Sequence, residues 1–244
     1  MTRSLEGRRC LVTGGSRGLG RAIAVAFAEN GARVAIASRG SSAGSGAAAP
    51  TLGPEARPFQ GDVSDAAFAE RTVRALEASW GGIDVLVNAA GVTHVLPVAL
   101  LEKAEWDEAM ATNLEGAFVW SRAALRPMIR ARGGSIVNIG IFSSERLVEA
   151  PIHFAAAKSG LRGLTESMAR EVGRYGVRVN LIAPGLLDEG LGRQLPQHRV
   201  DEYVAQCALG RLGGAREIAE MAVFLASGDA SLVTGAKIAI DGGL

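Results

Sequence analysis

The feature that most restricts this chain is a glycine-rich run set between an apolar pentad and an amphipathic stretch. Arg9-Cys10-Leu11-Val12-Thr13 leads into Gly14-Gly15-Ser16-Arg17-Gly18-Leu19-Gly20, and apolar residues at helical spacing follow. Glycines permit a tight turn and let backbone approach a bound group closely, while a helix beginning there presents unpaired N–H groups. Strand, glycine turn and helix start in that order form a cradle for a phosphate or pyrophosphate. The rest of the chain must then supply the sheet into which such a unit packs.

It does so by alternation. Strands are predicted at Arg9–Thr13, Arg33–Ser38, Arg57–Gln60, Ile83–Asn88, Ser135–Ile139, Val177–Leu181 and Lys237–Ile240, with helices near 18–30, 65–79, 105–131, 152–175 and 215–227. Several strand runs are continuously apolar, as strands covered on both faces should be. The pattern predicts one Rossmann-type doubly wound parallel sheet of about seven strands with helices on both faces. With 48% hydrophobic residues, the 244 residues can share one core, so residues 1–244 read as a single domain. The crossover after Ser38 breaks the pattern. Gly44, Gly46, Pro50 and Pro54 argue against a helix there, and a mobile loop with at most one helical turn is expected.

Composition excludes several roles. No apolar stretch approaches the ~20 residues of a membrane span. A net charge of +1 gives no reason to expect nucleic acid or a membrane surface as partner. The opening MTRSLEGRR is polar and does not read as a signal peptide, and Cys10 and Cys207 do not suggest a disulfide framework. A cytoplasmic protein without a metal site is expected.

The end of the second strand discriminates between cofactors. An acid there would bind the ribose 2′-hydroxyl of NAD. This chain has Ser38-Arg39, and Arg17 lies in the glycine loop. A hydroxyl and guanidinium groups suit a 2′-phosphate, so NADP(H) is the expected cofactor.

Further motifs follow in order. They are Gly61-Asp62-Val63, Asn88-Ala89-Ala90-Gly91, Asn113-Leu114-Glu115-Gly116, Gly134 to Ile139, Val179 to Gly185, Gly210 to Gly213 and Asp241-Gly242-Gly243. With the Thr13–Gly20 loop, the chain resembles the short-chain dehydrogenase/reductases almost end to end, most of all the 3-oxoacyl-[acyl-carrier-protein] reductase-like carbonyl reductases. The resemblance implies that Gly14, Ser16, Arg17, Gly18, Leu19 and Gly20 hold the diphosphate. It places Asp62 and Val63 at the adenine, Asn88, Ala89, Ala90 and Gly91 along the ribose side, and Pro184 and Gly185 beside the nicotinamide. Lys158 would hold the nicotinamide ribose; it is one of only three lysines among 26 basic residues. Asn113 would bend its helix and hold a water in a proton relay. Helices near 105–131 and 152–175 would pair subunits, which implies a homotetramer or a mixed oligomer with a homologue.

The resemblance fails at the chemistry. The family's catalytic tyrosine position, four residues before Lys158, is Phe154, and its serine position is Ile141. The threonine expected four residues past Pro184-Gly185 is Glu189. Phe and Ile neither donate nor accept a proton, and loss of a positioned acid costs about 10²–10⁴ in rate. Ser143, Ser144, Glu145, His153 and His94 stand near enough in sequence to be considered as substitutes. Three readings stay open: a reductase of a hydrophobic carbonyl substrate, small or carrier-bound, with another proton source; a non-redox cyclase, dehydratase or isomerase; and a catalytically silent subunit.

Overall fold

A computed structural model describes residues 4–40, 52–141, 150–190 and 192–244. Seven strands form one parallel sheet: β1 Arg9–Thr13, β2 Arg33–Ser38, β3 Arg57–Gln60, β4 Val85–Asn88, β5 Gly134–Ile139, β6 Val177–Pro184 and β7 Lys237–Ile240. Their order is β3-β2-β1-β4-β5-β6-β7. The strand order therefore reverses between β1 and β4, which pair with Thr13 opposite Asn88.

The helices are α1 Gly18–Glu29, α2 Ala66–Trp80, α3 Lys103–Met110, α4 Gly116–Ala131, α5 Ile152–Val172, α6 Gln197–Gln206 and α7 Ala215–Ala226. Successive strand residues point to opposite faces. Cys10, Val12, Val85 and Val87 accordingly meet Ile23 and Phe27 of α1 and Ile218 and Val223 of α7. Leu11, Leu86 and Ile136 meet Phe68 and Leu76 of α2, Trp120 and Met128 of α4, and Val172 of α5. Burial on both faces explains why the strands are apolar without alternation. Local signals agree: Asp65 caps α2 by accepting from the Ala67 N–H (2.8 Å), and Gly81 closes it at φ 80°.

Three differences from the expected elements have physical causes. The single helix expected at 105–131 is α3 and α4 joined by one π turn, Ala111–Glu115, where the Asn113 side chain bonds outside the ladder. β4 begins at Val85, whereas β6 runs on through Pro184 because β7 pairs with its far end. α6 was not anticipated; its sequence is mostly polar and only Tyr203 is buried. Residues 41–51 of the expected loop, and Ser143, Ser144 and Glu145, lie outside the described residues. Among the described residues, no helix is long and apolar enough to cross a membrane, and no group of three or more His, Cys, Asp or Glu could hold a metal ion.

Candidate active site

A crevice opens at the carboxyl ends of parallel strands where their order reverses. Here that point lies between Thr13 and Asn88. The Thr13 hydroxyl accepts from the Ala89 and Ala90 N–H groups (3.2 and 3.3 Å), tying the loop after β4 to the glycine turn after β1. Gly14 has φ 70°, and a methyl group there would stand 2.8 Å from the Ala90 Cα. A methyl at Gly20 would collide with the Gly14 carbonyl. The glycines are thus required by close backbone approach as well as by turn geometry. Arg17, the N-cap of α1, provides no side-chain hydrogen bond to the helix start, and the first turn holds no acidic residue. The positive end of that helix therefore faces the crevice without a capping side chain of its own.

The expected 2′-phosphate end is built from three segments. Ser38 is buried at the tip of β2, and its hydroxyl has no hydrogen-bond partner among the described residues. Ser16 comes close from the glycine loop: its hydroxyl is 3.9 Å from where a methyl on Gly40 would stand. Arg39 is exposed and pairs with Glu108 of α3 (2.9 Å). No acid follows β2. An orphaned hydroxyl followed in sequence by an arginine fits a phosphate ester, which accepts hydrogen bonds and carries negative charge, and such a group would compete with Glu108 for Arg39. Asp62 accepts from the Ser64 N–H and hydroxyl (2.8 and 2.7 Å), and these bonds hold its carboxyl below the usual range. The carbonyl of neighbouring Val63 accepts from Trp120 Nε1 (2.9 Å), which fixes this wall of the site to α4.

At the other end, Lys158 of α5 is buried and donates to the Ile139 carbonyl at 2.8 Å. Burial alone pushes its pKa down to about 8. Asn113 lies across from it, and Gly91 separates them: a methyl there would be 2.8 Å from Asn113 Oδ1 and 3.5 Å from Lys158 Nζ. Asn113 accepts from the Val92 N–H (3.1 Å) and donates to the Val92 and Ala109 carbonyls (2.8 and 2.9 Å). Its two bonds to Val92 hold the loop after β4, and the third returns to α3. Asn88 turns inward, donating to Asn138 Oδ1 (2.8 Å) and Ser121 Oγ (3.0 Å), so its backbone rather than its amide nitrogen borders the crevice.

Where the family has hydroxyls there is hydrocarbon. Ile141 and Phe154 pack in one cluster with Leu186, Tyr203 and Cys207. The Phe154 ring centroid is 5.8 Å from Lys158 Nζ. Tyr203 brings a hydroxyl to this cluster, but that group accepts from the Leu186 N–H (2.9 Å) and donates to the Asp241 carbonyl (3.3 Å). It braces Pro184-Gly185 and the residue after them. His153 is fully buried, and its Nε2 accepts from the His94 N–H at 3.2 Å. That bond assigns the ring hydrogen to Nδ1, which has no partner among the described residues. Burial holds the imidazole's pKa below the ordinary histidine value.

The structure thus sets the glycine turn against Ala89 and Ala90 and groups Gly91, Asn113, Lys158 and Phe154, while Ser38 ends β2 and Ile141 packs with Leu186. Sequence reasoning missed Glu108, which bonds both Arg39 and His94 Nε2 (3.1 Å), and Tyr203. Neither carries a sequence signal, since each lies on a mainly polar helix and acts on segments distant in sequence.

A glycine cradle at a sheet switch point defines a dinucleotide-binding doubly wound protein. A family model described as enoyl-(acyl carrier protein) reductase matches residues 14–244. The 3-oxoacyl-[acyl-carrier-protein] reductase FabG of Vibrio cholerae is 39% identical over 241 residues, covering 99% of this chain and 98% of the relative. The Escherichia coli protein of the same name is 38% identical with the same coverage. A gluconate 5-dehydrogenase of Burkholderia cenocepacia, solved with NADP and tartrate, superposes with TM-score 0.93 at 34% identity, covering all of this chain and 97% of that one. The chain belongs to the short-chain dehydrogenase/reductase family of oxidoreductases.

Proposed function

We propose that this protein is an NADPH-dependent reductase of a hydrophobic carbonyl substrate, small or carrier-bound, that works without the family's serine and tyrosine hydroxyls. The observation that carries the reading is the coexistence of an intact glycine loop, Ser38-Arg39, Asn113 and Lys158 with apolar residues at both acid positions. Gly14, Ser16, Arg17, Gly18, Leu19 and Gly20 hold the diphosphate. Ser38 and Arg39 take the 2′-phosphate, Asp62 and Val63 border the adenine, and Asn88 to Gly91 line the ribose side. Lys158 holds the nicotinamide ribose, and Pro184-Gly185 flank the ring. The similar gluconate 5-dehydrogenase was solved in complex with NADP, which supports NADP(H) as the cofactor here. When bound, it supplies or accepts the hydride.

The remaining steps belong to this chain's residues. Ile141 and Phe154 present hydrocarbon to the substrate and exclude water from around its carbonyl. Lys158, with its pKa near 8, is the group best matched to giving up a proton near neutral pH, through a water beside Asn113. His153 is the other donor: a neutral ring carrying its hydrogen on Nδ1 can polarise an oxygen without being cationic. Ser143 lies outside the described residues and remains a sequence-based candidate only.

Replacement of both hydroxyls favours a second reading, a cofactor-binding subunit without turnover. A fluorescence titration separates cofactor forms first: NADPH should bind at least about tenfold tighter than NADH, a difference of about 1.4 kcal/mol. Equal affinities would remove the role assigned to Ser38 and Arg39.

A further inference from the structure

We propose that Glu189 is a tethered carboxylate that competes with the dinucleotide diphosphate for the start of α1, so that it limits cofactor affinity and couples binding to proton uptake. The proposal rests on the cofactor reading above and concerns a residue to which that reading gives no part. Glu189 follows Pro184-Gly185 on a loop anchored by the Asp188 N–H, which donates to the Gly213 carbonyl at 3.0 Å. Its Oε2 would lie 4.0 Å from a methyl group at Gly18, nearer than any other non-neighbouring atom. Its Oε1 is buried and has no hydrogen-bond partner among the described residues.

A carboxylate with a buried unsatisfied oxygen is costly unless something else favours the charge. The uncapped start of α1 lies beside it, its first turn containing no acid and its cap residue no bonding side chain, but among the described residues no α1 N–H bonds the carboxylate, so the cost of burial prevails. That helix start is also where the glycine loop would place a diphosphate. Two anions cannot share it in a partly desolvated crevice without strong repulsion. Binding then requires Glu189 to take up a proton or to swing away.

The surrounding charges fix the direction of the pH effect. Burial and the adjacent Asp188 raise the Glu189 pKa, while Arg193 lowers it, the net shift being upward. At the start of α1 the charged residues are Arg17 and Arg21, both exposed. From the α7 side, Arg211 and Glu217 pair with each other at 2.7 Å. An arriving diphosphate favours the protonated acid further. Cofactor affinity therefore falls as pH rises through the Glu189 pKa of the free protein, by up to about tenfold per pH unit.

The test is calorimetric titration of NADPH and NADP⁺ into wild type, Glu189→Gln and Glu189→Thr, in buffers of different ionisation enthalpy, from mildly acid to mildly alkaline pH. Both variants should bind at least about tenfold tighter than wild type at the alkaline end. The difference should shrink toward the acid end, and only wild type should take up the additional proton. Titration of the 2′-phosphate is common to all three proteins and cancels in the ratio. A wild-type-to-variant ratio independent of pH would overturn the proposal while leaving the cofactor reading intact. So would an effect confined to NADP⁺ in which Glu189 strengthens binding, because the carboxylate would then face the cationic ring. Failure of all three proteins to bind either form would overturn the cofactor reading and this inference with it.

Discussion

Phe154 and Ile141 alter what the crevice can do to a proton. Lys158 and Asn113 stand on either side of Gly91, and the proposed function makes them the rest of a hydroxyl relay. Phe154→Tyr with Ile141→Ser should therefore raise reduction of an activated ketone by at least about 10²-fold, with neither single change sufficient, because residues of one relay are not additive. Steady-state assays of wild type, both single variants and the double variant check this; a double variant that binds NADPH but is no faster than wild type would contradict it. Lys158 permits a second prediction. Its buried ammonium has a folded pKa of about 8, below its value in the unfolded chain, so the unfolded state binds more protons between there and about 10.4. Stability relative to Lys158→Met should thus rise as pH increases through that window, by an amount on the order of 3 kcal/mol, and stay flat below it. Denaturant unfolding of both proteins across that range measures the difference.

At the scale of elements, the π turn between α3 and α4 is the device that sets the loop after β4. Asn113 supplies three hydrogen bonds there, two of them to Val92. Asn113→Ala would leave buried partners unpaired, at about 1–3 kcal/mol, and should speed amide exchange of Val92 before that of the β4 strand. Uniform exchange across both segments would show that the turn holds without its clamp. This element also shows where sequence reading stops. Continuous apolar runs marked the strands because burial on both faces leaves no polar alternation, and β1, β2, β3 and β7 have the predicted bounds. The same reading ran α3 and α4 together, because the backbone stays helical through the π turn that joins them. It overlooked α6, because a helix that buries one tyrosine has almost no stripe to detect. Site residues were legible where motif spacing fixed them. Glu108 was not, since its pairing with Arg39 joins residues 69 positions apart across two elements.

For the whole molecule, several large apolar side chains stay exposed. Phe118 on α4, Ile152 at the start of α5 and Leu232 before β7 are exposed, the last at 96%. Burying such groups across two-fold axes would make a closed assembly of the kind most homo-oligomers adopt. A homotetramer is the expected state, and light scattering at micromolar concentration should return four times the 25.2 kDa chain mass. A monomeric mass would contradict it. The central claim, hydride chemistry in a crevice without its usual acid, is tested most directly by a single turnover. NADPH bound to wild-type protein in slight excess is mixed with a hydrophobic activated ketone, and loss of the reduced-nicotinamide absorbance is followed. Slow but complete oxidation is expected, accelerated in the Phe154→Tyr, Ile141→Ser variant. Tight NADPH binding with no oxidation in wild type would contradict it and leave the silent-subunit reading in its place.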